Sequence, residues 1–382
     1  MREYELNVVD DLSAISPADW DHLADGNPTL RHSFLQGMID AGCTTAASGW
    51  LPQFLTLWRE IEGRKTLAGA VPLYMKGHSY GEYVFDWSWA EAYQRAGLDY
   101  YPKLLAAVPF TPCSGTRLMA HTDADRQLLI DGLLEIARQS EVSSLHLLFP
   151  TDSEQEMLIA AGMMPRSSVQ FHWRNAAGAG YENFGAFLAT MSHDKRKKVK
   201  QERRKVGDAG ITFKRKVGHD ISVADWDFFT QVYTRTYHAH YSTPYLNREF
   251  FGRIGERMPE NILLVIASCD EQPIAASLNL FSDTTLYGRY WGCTEFHSGL
   301  HFETCYYQTL EFCIERGIQV FEGGAQGEHK LARGFLPVKC NSAHWLKEPR
   351  FAKAVDDFLR REGGGIERYV DELNEHKPFK EI

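Results

Sequence analysis

A chain of 382 residues is long for one hydrophobic core, and its 44% apolar and 13% aromatic content marks it as globular, so two domains are expected. The formal charge of −9 excludes a protein that coats DNA through its bulk field, but leaves room for a local basic patch. Seven cysteines without a C-x-x-C pair fit thiols in a reducing compartment, and no stretch approaches the roughly 18 apolar residues of a membrane span, so a cytoplasmic protein is expected.

In chain order, residues 54–58 and 67–74 read as two strands joined by a glycine-bearing turn. Alternation at Tyr83, Phe85, Trp87 and Trp89 predicts an aromatic strand over 83–87. A short helix is expected near 101–108, followed by the small-residue turn Phe110–Gly115. The aromatics serve core packing or the wall of an acceptor groove between the domains. In the second reading Trp87, Tyr93 and Tyr101 wall the groove, Asp86 and Glu91 attract an ammonium group, and His238 and His240 line the same groove. Two histidines at i, i+2 without a third ligand make no metal site, so none is expected. Pro165, a strand over 168–173 and the loop 175–181 set the boundary, giving domains 1–165 and 166–382.

The second half opens with eight basic residues in the eleven from Lys195 to Lys205. On a helix these charges cover every face except that of Val199 and Val206, so the segment is solvated or binds phosphate. Strands over 263–267, 274–281 and 286–291 follow. A helix then starts near His301 and stops at Gly317, where glycine accepts a left-handed turn. A strand over 318–322 opens into a loop with three glycines and clustered polar groups from Glu322 to Arg333, the expected active site. Hairpin, aromatic strand, helix and strand recur in both halves at an offset of roughly 205 to 210 residues, which suggests two copies of one mixed α/β unit. Two closing helices, 351–359 and 366–373, are expected on either side of a Gly363–Gly365 break.

The loop from Glu322 to Arg333 and the strand before the helix bring together groups that accept and donate protons. Glu328 or His329 is the expected base, with Glu295 and His301 as second choices.

Three stretches, MSHDKRKKVKQERRKVGDAGI (191–211), HFETCYYQTLEFCIERG (301–317) and FEGGAQGEHKLARGFLP (321–337), together with the aromatic block 85–118, carry a family likeness. The chain resembles the tandem-domain FemAB-like group of the GNAT superfamily of N-acyltransferases. The resemblance implies an α/β fold (α+β mixed sheets) of two tandem GNAT-like domains. It implies transfer of an acyl group from an acyl-CoA or acyl-carrier thioester to an amine acceptor such as a lipid or cell-envelope precursor. Acyl-CoA is then a co-substrate, with no tightly bound cofactor. Arg289 and Tyr290 would lie near the reaction, Ser298, Gly299 and His301 would meet the donor phosphates, and Lys197, Lys198 and Arg203 the peripheral ones. Gln326, Lys330 and Arg333 would bind substrate, and the basic run leaves room for peripheral contact with an anionic inner-membrane surface. Fem enzymes that use aminoacyl-tRNA carry a coiled-coil arm, for which 206–225 has no run of sufficient length. Such a tRNA-dependent transfer to a peptidoglycan precursor is the alternative, as is a non-catalytic peptidoglycan-recognition module.

Overall fold

The computed structural model describes residues 4–325 and 327–380. The chain divides into two compact units, Met1–Val169 with Lys339–Tyr369, and Gln170–Val338 with Val370–Ile382. The expected boundary at 165/166 lies close to the first crossing, but the chain crosses twice more, so Lys339–Tyr369 belongs to the first unit rather than the second.

The first unit contains β1 (Glu5–Val9), α1 (Pro17–Leu23), α2 (His32–Asp40), β2 (Trp50–Pro52), β3 (Phe54–Ile61), β4 (Arg64–Val71), β5 (Leu73–Lys76), α3 (Trp87–Arg95), β6 (Lys103–Ala106), β7 (Met119–Ala120), α4 (Asp123–Gln139), β8 (Ser144–Leu148) and α5 (Asp152–Ala160). Strands β1, β3, β4 and β7 pair antiparallel in that order. Pro72, which has no N–H to donate, separates β4 from β5. β5 continues antiparallel onto β6, and β6 pairs parallel with β8. Leu129, Ile130, Leu133 and Leu134 form the apolar stripe of α4 and pack on Leu55, Leu57, Val71, Leu104 and Leu145.

Two expectations fail here. Residues 83–86 form a turn, and α3 starts at Trp87. The expected alternation is not kept: Val84 and Asp86 are buried and Phe85 and Trp87 exposed, whereas Tyr83 is half-buried and Trp89, inside α3, is buried. The segment expected as a helix near 101–108 holds β6 instead, because all four residues of Lys103–Ala106 are buried between β5 and β8.

The chain continues through β9 (Met164–Arg174), α6 (Phe184–Thr190), α7 (His193–Asp208), β10 (Ile211–Val217), α8 (Val223–Ala239), α9 (Arg248–Arg257), β11 (Ile262–Cys269), β12 (Gln272–Phe281) and β13 (Thr285–Cys293). A helix follows in three parts, α10 (Leu300–Phe302), a π turn (Glu303–Tyr307) and α11 (Gln308–Arg316), then β14 (Val320–Glu322), β15 (Leu336–Leu346) and α12 (Pro349–Glu375). The second unit orders its strands β10-β11-β12-β13-β14-β9, with β13 and β14 parallel. The antiparallel-then-parallel step β5-β6-β8 therefore recurs as β12-β13-β14, so a mixed α/β unit is repeated, but in another register than expected: β6 and α4, not residues 83–87 and 101–108, answer to β13 and the helix that follows it. β9 and β15 each run from one unit into the other and pair within the unit they enter: residues 172–174 of β9 with β14 in the second unit, and residues 342–346 of β15 with β8 in the first.

β11 and β12 are buried along nearly their whole length, as their continuous apolar sequences require of strands covered on both faces. α8 begins with a Ser222–Asp225 capping box and lies directly on β13. A Cβ on Gly292 would stand 2.1 Å from the Val232 carbonyl oxygen, so only glycine allows that approach. Gly317 ends α11 at φ +69°, as its sequence position predicts. The expected break at Gly363–Gly365 is absent: α12 is one helix through all three glycines. Val355, Leu359 and Leu373, all buried, supply packing that offsets the roughly 1 kcal/mol each glycine costs in a helix.

Candidate active site

β13 and β14 pair through only three positions, Thr285↔Val320, Leu286↔Phe321 and Tyr287↔Glu322. Past them β14 runs into Gly323 and Gly324 while β13 stays with β12, so the strands part. A cavity of about 140 Å³ opens at the parting, lined by Ser277 and Asn279 of β12, Gly288–Trp291 of β13, His301, Cys305 and Tyr306 of the helix, and Phe321 and Gly323. β12 and β13 slip register between Leu278 and Asn279, beside the two polar wall residues. The Ser277 hydroxyl donates to the Thr304 carbonyl at 3.1 Å, inside the π turn that carries Cys305 and Tyr306. π turns of this kind re-aim side chains inside otherwise regular helices.

The loop after β14 closes one side. It turns at Gly327, makes a 3₁₀ helix over Glu328–Arg333, and leaves through Gly334. Lys330 is 4% exposed and its Nζ donates to the Gly324 carbonyl at 3.1 Å. Burial pulls the Lys330 ammonium down to about 8, against a smaller opposing effect of Cys305. Burial also takes His301 down to about 4, helped by the nearby His329, Arg333 and Lys330, so it is a neutral imidazole at neutral pH. The Cys305 thiol is pushed far up by burial and stays protonated. Tyr306 Oη and His329 Nε2 lie 3.2 Å apart.

Helix α7 braces this loop. Glu202 accepts from Arg333 Nη2 at 2.7 Å through one oxygen and from the Tyr307 hydroxyl through the other. Arg333 also donates to the His329 carbonyl at 2.5 Å and lies 3.3 Å above the Phe302 ring. Arg203 donates to both oxygens of the buried Glu303 and, at 2.7 Å, to Glu311.

The expected site residues scatter accordingly. Arg289, Tyr290 and His301 line the cavity, and His329, Lys330 and Arg333 stand in the adjoining loop. Glu328 is exposed at the start of its 3₁₀ turn, and Glu295 is exposed with His297 Nε2 3.3 Å from its carboxylate. Ser298 is exposed. Gly299, at φ +88°, passes so close to α7 that a Cβ would lie 3.2 Å from the Glu202 carbonyl oxygen. Lys197 and Lys198 face solvent, whereas the guanidinium of Arg203, expected to meet phosphate, is committed to two glutamates inside the fold. Gln326 lies outside the described residues. His238 and His240 are exposed at the end of α8.

Asp86, Trp87, Tyr93 and Tyr101 belong to the first unit. Asp86, expected to attract a ligand ammonium, is 3% exposed and bound to the Lys103 ammonium and the Tyr100 hydroxyl. It belongs to a buried network in which Lys103 also donates to Glu82 and Ser79, each at 2.9 Å. Tyr93 packs on Phe351 with centroids 4.1 Å apart, Tyr101 pairs with Ser79 at 2.8 Å, and Trp87 stands edge-on to Tyr80.

Sequence reasoning missed Ser277, Asn279, Cys305 and Glu202. The first two were detectable, because Ile274–Phe281 is apolar except for polar residues two apart, on one face of a strand otherwise buried on both sides. Among the described residues no group of three or more His, Cys, Asp or Glu side chains could hold a metal ion, and no helix is long and apolar enough to cross a membrane.

Solved structures share this architecture at low sequence identity. The crystal structure of FemX matches with a TM-score of 0.56 at 11% identity, covering 90% of this chain and 98% of that one. The C-terminal domain of a putative lysylphosphatidylglycerol synthetase from Agrobacterium fabrum matches at 0.51 and 10%, covering 91% and 97%. L-PGS from Bacillus licheniformis matches at 0.51 and 10%, covering 90% and 97%. No curated protein matches the chain. The FemAB-like family model, described as peptidoglycan biosynthesis/recognition, matches residues 11–381, and the chain belongs to that family.

Proposed function

We propose that the second unit transfers a short acyl group from a thioester donor, coenzyme A or an acyl carrier, to the amine of a cell-envelope precursor. The observation that carries this reading is the cavity at the parting of β13 and β14, whose wall brings a neutral imidazole, a guanidinium and two phenols together. The substrate amine reacts as the free base and donates one N–H to the His301 imidazole, which, with a pKa of about 4, orients the nitrogen rather than taking a proton from an ammonium. The amine nitrogen attacks the thioester carbonyl, with the Arg289 guanidinium on the same wall supporting the oxyanion. The C–S bond then breaks, and one nitrogen proton leaves with the thiolate as thiol. The protonated Cys305 supports direct transfer over an acyl-cysteine intermediate.

Cavity size supports a short acyl group. A volume near 140 Å³ resembles the roughly 150 Å³ cavity that holds one benzene ring, so about six heavy atoms fit. A thermal-shift panel of acetyl-, short-chain and long-chain acyl-CoAs, with coenzyme A as control, tests this. Stabilisation by the short members is expected, and no shift with any of them rejects a coenzyme A donor. His301→Leu removes the acceptor that orients the amine and should lower kcat by about 10²-fold, and an unchanged kcat removes His301 from the reaction.

The fold likeness to a lysylphosphatidylglycerol synthetase domain favours a second reading, in which an aminoacyl group on tRNA is the donor. RNA carried through purification, seen as a raised 260/280 nm absorbance ratio, would support it. Binding of neither donor would leave the recognition role that the family description also names.

A further inference from the structure

The inward side of α7 is fixed by contacts. Val199 and Val206 are 2% and 1% exposed, and between them Glu202 and Arg203 hold Arg333, Tyr307, Glu303 and Glu311. At 100° per residue, Lys197, Lys200 and Arg204 fall on the opposite side and Lys198 and Lys205 flank them. All five are exposed, and among the described residues none of them has a hydrogen bond or ion pair. The helix's other carboxylates, Asp194 and Asp208, also fall on the outward side but at its two ends, where Asp194 pairs with His193 and, among the described residues, neither pairs with any of the five cations. A chain of net charge −9 thus presents an unneutralised row of five cations along one helix.

We propose that this outward face of α7 docks the protein on an anionic lipid surface. Such a surface is a spread of negative charge that point-like ammonium groups meet without directional demand, and four of the five cations are lysines. The face has no apolar residue, so the contact is electrostatic at headgroup level and nothing inserts. RNA is the weaker match, since no Phe, Tyr or Trp lies on α7 to stack a base. The same helix braces Arg333 and Tyr307 through Glu202, so a docked α7 holds the candidate site at the lipid surface. The inference does not depend on which donor or acceptor the site uses.

Co-sedimentation of the full chain with phosphatidylglycerol-containing vesicles tests it, with phosphatidylcholine vesicles as control. Binding to the anionic vesicles at low ionic strength, and its loss at high salt, are expected. The K197Q/K198Q/K200Q/R204Q/K205Q variant should bind them about a thousandfold more weakly, with a melting temperature unchanged because all five side chains are exposed. If that variant fails to fold, K197E/R204E should move binding in the same direction. The proposal is overturned if the wild-type protein ignores anionic vesicles, if the variants bind like wild type, or if an RNA oligonucleotide competes the protein off the vesicles.

Discussion

Glu202→Ala is the sharpest probe of how the candidate site is held. The Glu202 side chain is 16% exposed and faces Arg333, which is 3% exposed. Removing the carboxylate strips a nearly buried guanidinium of its ion-pair partner and leaves the Tyr307 hydroxyl without its acceptor. Breaking a fully buried pair costs roughly 3–5 kcal/mol, and the partial exposure of Glu202 together with the remaining Arg333 bond to the His329 carbonyl lowers this to about 2–3 kcal/mol. Glu202→Gln keeps the shape and one acceptor oxygen, which can still take the Arg333 N–H while the amide NH₂ donates to the Tyr307 oxygen, and should cost about half as much. Urea titration followed by tryptophan fluorescence reads the change, and pairing the substitution with Arg333→Met in a double-mutant cycle isolates the shared part, expected above about 1 kcal/mol. A Glu202→Ala protein within about 0.5 kcal/mol of wild type, or a cycle showing simple additivity, would refute the bracing role of α7.

Two further outcomes follow from the same geometry. Gly292→Ala places a methyl 2.1 Å from the Val232 carbonyl oxygen and should destabilise by about 2–4 kcal/mol through displacement of α8, measured as a fall in the urea midpoint; a neutral effect would mean α8 does not rest on β13. Lys330 has a folded pKa near 8 against an ordinary 10.5, so the unfolded chain binds more protons between those values and stability rises with pH across that window. Lys330→Met should flatten that rise, as read from urea midpoints at a series of pH values, and an unchanged profile would show that Lys330 is not buried as an ammonium.

Much of the second unit was legible because its signals are local. Apolar runs at 263–267 and 274–281 mark strands covered on both faces, and Gly317 stops a helix whose apolar residues recur at three and four. The loop from Glu322 to Arg333 stood out by composition, and the structure sets it beside the cavity. The aromatic segment was misread for an equally physical reason. Alternation announces that one face is buried, not which one, and the need of Lys103 for Asp86 turns Phe85 and Trp87 outward.

The sequence alone determined the apolar strands of the second unit, the polar composition of the loop from Glu322 to Arg333 and the identity of α7 as a helix whose Val199 and Val206 face inward, since these depend on residues within one or two turns of each other. Tertiary structure alone decided that Glu202 and Arg203 are structural while their neighbours are free, that β9 pairs with β14 and β15 with β8, and that β13 and β14 part to leave a cavity. In each case the partner lies many residues away, and a charge or a strand edge carries no local mark of which distant group will satisfy it.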